Sequence, residues 1–202
     1  MASKKRTGQQ ALQFLRLESP ESIMRTLVGT LVGIVGYVTL YLANLPEYKL
    51  MGILTVQINL ALLVIPLAAA FLGPLAGFFV GLFGTLGADA LFTQQIIALG
   101  TIDLSYGLLG FSIGIPNYTR GEGFSKGKTL RKLILSSMAG FSVMILLYLV
   151  GLIVIAGQNI LPTILYNFLP FFSVSLITLV IVAPVAVRLV DVVARYAGKS
   201  LK

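Results

Sequence analysis

Two acidic residues, Asp89 and Asp103, lie in stretches of the chain that are otherwise apolar. An acidic side chain is costly inside a membrane and usually marks a functional site there. Amides and tyrosines occur at the corresponding ends of several predicted helices. Amides and acids orient a ligand through hydrogen bonds, and tyrosine faces hold a flat ring. The sequence therefore predicts a pocket for a small polar-aromatic ligand, lined by Tyr48, Gln57, Asp103, Tyr106, Asn159, Tyr166 and Asn167.

Contact with water at the membrane interface is the alternative explanation for this polar set. It accounts well for Asn44, Gln94 and Gln95, which follow the ends of predicted helices. Asp103 lies too deep in its predicted helix for simple surface exposure, so we expect a functional role for it.

The same residues do not form a catalytic constellation. Asp89 and Asp103 could act as an acid–base pair, but no nucleophile or set of metal ligands accompanies them. The chain contains no Cys and no His, which excludes thiol and imidazole chemistry and the commonest soft-metal sites. The loop 121–129 is glycine-rich and basic, but its spacing does not match a phosphate-binding loop. We therefore predict no enzyme activity, no cofactor and no metal site.

Composition places these residues in a membrane protein. Of the 202 residues, 57% are hydrophobic and 11% are charged, which is more apolar surface than a soluble domain of this size can bury. We predict an all-α bundle of six transmembrane helices in one domain, residues 27–190, between a basic segment 1–26 and a tail 191–202. The predicted spans are 27–43, 52–72, 74–91, 96–115, 133–156 and 160–187, the fourth broken near Gly100 and the last bent by prolines.

The basic residues predict the orientation of this bundle. All of them except Lys49 lie before the first span, between the fourth and fifth spans, or after the sixth. The positive-inside rule makes those segments cytoplasmic, and both termini with them. The net charge of +8 is therefore a topology signal in a multi-pass protein of the cell membrane, and nucleic-acid binding is not expected.

The N-terminal segment contains one local structural signal. Residues 1–18 are basic and weakly amphipathic, which is typical of a surface segment or a disordered tail. Ser19-Pro20-Glu21 supplies an N-cap, a first-turn proline and an acid, which together predict the start of a helix.

Small residues recur along the third predicted span. One face of that helix carries Gly73, Gly77, Gly81 and Thr85. Small residues let membrane helices approach closely, so we predict that this helix is the central packing helix and that a sharp turn at Gly73-Pro74 precedes it. Gly29 and Gly33 form a similar pair in the first span, which serves either a helix of another protein or the chain's own bundle.

These features together resemble one family. Six spans in 202 residues, basic cytoplasmic ends, the small-residue pair in the first span and the stretch 72–81 leading to Asp89 are similar to the substrate-binding S-components of energy-coupling factor transporters. The chain differs from many members in two respects, since it has glycines where alanines are usual in the first span and it has no tryptophan.

The resemblance implies a subunit that captures a vitamin or vitamin precursor from outside and does not hydrolyse nucleotide. It implies a partner assembly of one transmembrane coupling subunit and two ATPase subunits, with Gly29 and Gly33 facing the coupling subunit. It also implies that residues 44–51 form a lid over the ligand. A flat heteroaromatic such as riboflavin or a thiamin precursor suits the predicted side chains.

Two other functions are compatible with the residues themselves. An autonomous ion-coupled carrier or channel would use Asp89 and Asp103, since intramembrane acids often bind the coupling ion. A membrane scaffold without any ligand would need neither residue.

Overall fold

The computed structural model describes residues 12–43, 48–50, 54–56, 59–92, 96–116, 118, 124, 127–155, 157, 159–162, 164–165 and 169–200, with the backbone alone at 48–50 and 54–56. In chain order the main elements are α1 Pro20–Leu42, β1 Tyr48–Leu50, β2 Leu54–Val56, a 3-10 helix Leu60–Leu63, α2 Val64–Leu72, α3 Pro74–Phe92, α4 Ile96–Gly114, α5 Gly127–Val150, α6 Leu169–Ile177 and α7 Ala183–Ser200. A π-helical turn, Gly151–Ile155, extends α5, and a second one, Thr178–Val182, joins α6 to α7.

Four helices in the described residues are long and apolar enough to cross a membrane: Leu12–Leu42, Pro74–Leu91, Gly127–Val154 and Phe172–Ala197. Two shorter apolar helices, Leu60–Leu72 and Ile102–Gly114, accompany them. Large apolar side chains are exposed along α1, α5 and α7, which water would disfavour and lipid accepts. These features indicate a predominantly α-helical membrane protein, as the composition predicts.

The start of α1 follows from its capping residues. The Ser19 hydroxyl accepts a hydrogen bond from the Ser22 backbone N–H at 3.2 Å, and the Ser19 N–H donates to the Ser22 hydroxyl at 3.0 Å. This reciprocal pair satisfies two amides that the first helical turn leaves without partners, and Pro20 has no amide hydrogen to satisfy. The predicted helix start at Ser19 is confirmed.

The central helix of the bundle is α3, which packs against α1, α2 and α4. Gly73 separates it from α2 with a φ of +110°, a conformation that side chains rarely adopt. The helix runs parallel to α1, because Gly33 faces Val80 and Tyr37 faces Gly84. The predicted turn and the predicted central position are both confirmed.

The closest helix contact in the described chain joins the backbones of α3 and α4. A Cβ on Gly77 would lie 2.5 Å from the Gly110 carbonyl oxygen, and a Cβ on Gly110 would overlap the Gly77 carbonyl. One turn further along, a Cβ on Gly81 would overlap the carbonyl of Tyr106. Glycine on both helices therefore sets how near they come, as the small-residue spacing predicts.

Two predicted spans differ from the structure. The segment 52–72 is not one helix, because β1 and β2 pair as an antiparallel hairpin, with Lys49 opposite Thr55, before the 3-10 helix begins at Leu60. The break predicted near Gly100 is also absent, since α4 is continuous from Ile96 to Gly114. A single glycine costs a helix only about 1 kcal/mol relative to alanine, so Gly100 does not by itself interrupt α4.

The end of the chain is helical for longer than predicted. The predicted last span, 160–187, consists of a short turn Ile160–Pro162, then α6, the π-helical turn and the start of α7. The predicted span is therefore not one regular helix, which agrees with the bending predicted from its prolines. The predicted tail, 191–202, is helical in its described part, since α7 continues to Ser200.

Basic side chains mark one end of the bundle, where α1 and α3 begin and α4 ends. We call it the basic end, and it carries Arg16, Arg25, Lys128, Arg131, Lys132, Arg188 and Arg195. Arg16 is buried there, with a φ of 60°. Its guanidinium donates to the carbonyls of Ala70 at 3.0 Å and Pro116 at 3.3 Å and lies 5.8 Å from the centre of the Tyr118 ring. The segment before α1 is therefore attached to the bundle at this residue.

The connection between α4 and α5 is also anchored at the basic end. The Tyr118 hydroxyl donates to the Ile113 carbonyl at 2.6 Å, and burial raises the pKa of Tyr118 to about 12, so the donor proton is retained. Asp191 of α7 accepts a hydrogen bond from the Phe124 N–H at 3.0 Å and pairs with Arg195 at 2.9 Å. These contacts join the loop, α4 and α7.

Replacing Gly110 by Ala should destabilise the bundle, because the added Cβ meets backbone atoms of α3 that cannot rotate away. We expect the free energy of unfolding to fall by about 1–3 kcal/mol, the usual cost of overpacking. Gly36→Ala is the matched control, since no atom lies within 4 Å of a Cβ there. Unfolding in mixed detergent micelles measures both variants, and equal stability of the two would contradict the proposed packing.

Replacing Arg16 by Met keeps much of the side-chain volume but removes its hydrogen bonds to Ala70 and Pro116. Hydrogen bonds to charged groups contribute about 1.5–3 kcal/mol each, and relief of the buried charge offsets part of that, so we expect a net loss of about 2 kcal/mol. Arg25→Met removes an exposed arginine from α1 and should change little. Thermal unfolding of both variants tests this, and an unchanged midpoint for Arg16→Met would refute it.

Candidate functional site

The opposite end of the bundle contains the acidic residues of the apolar core. Asp89 lies in the last turns of α3, and Asp103 lies in the first half of α4. The antiparallel α3–α4 contact brings the two carboxylates beside each other, with Thr85 next to Asp103. We call this region, with the nearby Asn59, the acidic end. From Asp103 to the basic end at Ile113, α4 rises about 15 Å.

Asp103 is fully buried, with 0% of its surface exposed. Within the described structure, neither of its carboxylate oxygens has a hydrogen-bond partner. The hydroxyl of Thr85, which lies next to Asp103, donates to the Gly81 carbonyl at 2.7 Å, and Ser105, two residues further along α4, donates to the Ile102 carbonyl. A buried carboxylate without donors is a high-energy arrangement, so it requires a functional explanation.

Four tyrosines from three helices lie near Asp89, and one of them, Tyr37, also lies near Asp103: Tyr37 and Tyr41 of α1, Tyr106 of α4 and Tyr148 of α5. Tyr37 and Tyr106 are buried, whereas Tyr41 and Tyr148 are partly exposed. The rings of Tyr37 and Tyr41 stack with centroids 6.5 Å apart, as residues four apart on one helix face can. The acidic end therefore presents aromatic faces as well as carboxylates.

A glycine of α3 lets the Tyr37 ring pack against the central helix. A Cβ on Gly84 would lie 2.8 Å from Cγ of Tyr37, so the Tyr37 ring packs directly on the α3 backbone. The Tyr37 side chain also lies beside Asn59, whose own Oδ1 accepts from the Ala61 N–H at 3.0 Å and caps the 3-10 helix. The Tyr37 ring is thus held in position by α3 and by the segment that follows the hairpin.

The structure brings together part of the predicted pocket. Asp103 and Tyr106 lie at the acidic end, both buried. The backbone of Tyr48 lies in β1, and Asn159 is exposed after the π-helical turn of α5. Gln57, Tyr166 and Asn167 lie outside the described residues, as does the Tyr48 side chain, so their predicted role stays a prediction.

Sequence reasoning missed three of the four tyrosines. Tyr37, Tyr41 and Tyr148 lie within apolar runs, where tyrosine is commonly read as an interfacial anchor. One signal could have revealed Tyr37 and Tyr41, since their spacing of four residues places them on the same helix face. No comparable signal marks Tyr148, whose role depends on how α5 packs.

The glycine pair predicted to dock a partner faces the chain's own bundle. A Cβ on Gly29 would lie 2.5 Å from Cδ1 of Leu72, and a Cβ on Gly33 would lie 2.7 Å from Cγ2 of Val80. Both positions thus let α1 approach α2 and α3. This geometry favours the intramolecular alternative for the pair, and the outward face of α1 consists of other residues.

Comparison with protein-family models, with curated proteins and with solved structures finds no match to this chain. The chemistry of the acidic end therefore follows from its own residues: two carboxylates, one of them buried and unpartnered, surrounded by tyrosine rings. Such a set can bind a proton or a small ligand.

Replacing Asp103 by Asn should stabilise the protein in the absence of ligand. The amide removes the charge repulsion between residues 103 and 89 and can donate a hydrogen bond to the Asp89 carboxylate. We expect a gain of about 1–3 kcal/mol, the cost of one buried polar group without a partner. Thermal unfolding without added ligand measures it.

Asp191→Asn is the matched control for this substitution. It makes the same chemical change at a carboxylate whose oxygens are already engaged by Phe124 and Arg195, so its melting temperature should fall. A decrease of similar size for Asp103→Asn would mean that Asp103 has a stabilising partner and would contradict the expectation.

Proposed function

We propose that this protein is a membrane-embedded capture subunit of the S-component type, which binds a vitamin or vitamin precursor from outside. The observation that carries this proposal is the buried, unpartnered Asp103 among tyrosines, at the end of the bundle away from the basic residues. A few polar groups that converge among apolar and aromatic side chains are typical of a small-molecule site. A flat heteroaromatic such as riboflavin or a thiamin precursor suits the rings.

The proposed topology has six spans with both termini in the cytoplasm. The four long apolar helices supply four of the spans, and the shorter helices Leu60–Leu72 and Ile102–Gly114 supply the other two. In this arrangement the basic end is cytoplasmic by the positive-inside rule, and the acidic end opens outward. The protein is then a multi-pass component of the cell membrane.

Delivery of the ligand needs an energy source from other subunits in this proposal. The glycine-rich loop 121–129 lacks the spacing of a phosphate-binding loop. The resemblance to S-components supplies the candidate, a transmembrane coupling subunit with two ATPase subunits. The capture subunit itself is then a binding protein and not an enzyme.

The outward face of α1 is the proposed docking surface for the coupling subunit. Leu31, Val32 and Val35 are exposed there to between 64% and 66%. Leu31 and Val35 lie on the side of α1 away from the glycines that pack on Leu72 and Val80, and Val32 lies on the flank between the two sides. The proposed docking surface is therefore a set of branched apolar side chains on the first helix.

Ligand binding is the direct test of the capture function. The full-length protein in lipid nanodiscs is titrated with riboflavin, thiamin and pyrimidine and pyridine vitamins, and binding is measured by calorimetry. We expect tight binding of one of them and its loss in Tyr106→Ala. Absence of binding by the whole panel would refute the capture function.

Substitution of Val32 by Trp should impair transport but leave ligand capture intact. A bulky ring on the proposed docking surface should reduce ATP-dependent uptake at least tenfold in cells that co-express the coupling and ATPase subunits. Ligand binding by the isolated protein should be unchanged. Leu146→Trp is the matched control, because Leu146 is equally exposed on α5, at 66%. Equal uptake by the two variants would exclude the α1 face as the docking surface.

An ion-coupled carrier is the second candidate function, and the same unpartnered Asp103 favours it. A proton or a monovalent cation bound between Asp103 and Asp89 would supply the coupling. Transport by the purified protein alone in liposomes, driven by an ion gradient and abolished by Asp103→Asn, would establish this function in place of the first.

A further inference from the structure

The buried Asp103 carboxylate can be stabilised in only two ways, and these limit the chemical class of a ligand that binds to it. A carboxylate that is fully buried and accepts no hydrogen bond is stabilised either by taking up a proton or by contact with a positive charge. A proton satisfies one oxygen and leaves the other without a donor. A cationic group with N–H donors, or a delocalised cation in van der Waals contact, interacts with both oxygens.

The described side chains do not supply that positive charge. The basic residues with described side chains belong to the basic end, and Arg25, in the second turn of α1, is about 18 Å along the helix axis from Tyr37. Asp89 lies beside Asp103 and adds a second negative charge. The described basic side chains therefore leave the buried Asp103 carboxylate without a positive neighbour, so a cation there would come from outside the described part of the chain.

The tyrosines also favour a cation at the acidic end. An aromatic face carries a partial negative charge and attracts a cation placed above it. Tyr37, Tyr106 and Tyr148 lie near Asp89 on three different helices, and Tyr37 also lies near Asp103, so a cation beside the carboxylates would interact with the rings as well. Neutral and anionic rings would gain the stacking contact but not the electrostatic one.

Resting on the proposed capture function, we infer that the captured ligand carries a positive charge, held by the Asp103 carboxylate within the tyrosine cluster. The ligand class is an organic cation on a flat ring, such as a protonated or quaternised nitrogen heterocycle. Within the described residues no group of three or more acidic residues is placed to hold a metal ion, and a hard divalent ion needs six to eight oxygen ligands.

The test uses probes matched in shape and different in charge. Nicotinamide is neutral at pH 7, 1-methylnicotinamide is a cation with the same ring, and nicotinate is an anion. Thiamin and riboflavin form a larger pair, cationic and neutral. Each is titrated into the full-length protein in lipid nanodiscs, for the unmodified chain and for Asp103→Asn.

We expect the cation of at least one pair to bind ten times or more tightly than its neutral partner. The preference should shrink to less than threefold in Asp103→Asn. Asp89→Asn should reduce it less, because Asp89 is partly exposed to solvent. Asp191→Asn, which removes a carboxylate at the basic end, should leave the preference as it is in the unmodified chain.

Several outcomes would overturn the inference, and they separate it from the capture function. Tighter binding of the neutral or anionic probes, or a cation preference that persists in Asp103→Asn, refutes the positive charge while capture stands. Binding of none of the five probes counts against both. The protein could instead be stabilised by sodium or potassium chloride in a way that depends on Asp103, while showing no preference among the organic probes. That result would assign the site to an inorganic ion and would also overturn the inference.

Discussion

The packing of α3 against α4 is the contact on which the rest of the structure depends. Apolar side chains gain little by leaving lipid for another apolar helix, so close backbone contact has to hold the two helices together. Gly77 and Gly110 place each helix against a carbonyl of the other, and Gly81 extends the contact toward Tyr106.

The same contact creates the acidic end. Because α3 and α4 are antiparallel and nearly touch, Thr85 and Asp89 on one helix must lie beside Asp103 on the other. Wider helix spacing would admit water or longer side chains between the carboxylates. The position of Tyr37 has the same cause, since Gly84 has no side chain and leaves room for the Tyr37 ring on the α3 surface. Helix packing and site chemistry therefore use one set of small residues.

The parts of the fold that could be predicted from sequence are those with a local physical cause. The Ser19 cap, the Gly73 turn and the glycine face of α3 each depend on a few adjacent residues, and all are confirmed. The hairpin at 48–56 was missed, because short apolar runs contain no periodicity that separates a strand from a helix. The direction faced by Gly29 depends on Leu72, more than forty positions away, which spacing alone does not reveal.

Each end of the bundle buries a side chain that can carry a charge, but the two side chains differ in their hydrogen bonding. Arg16 is buried with two carbonyl acceptors, an aromatic ring and the Gly73 surface around its stem. Asp103 is buried more completely and has no hydrogen-bond partner in the described structure. Both side chains lie in the same closely packed bundle, so loose packing does not explain the difference. A chain that satisfies one buried charge so fully has the means to satisfy the other, and the unsatisfied carboxylate is the feature that the proposed ligand would account for.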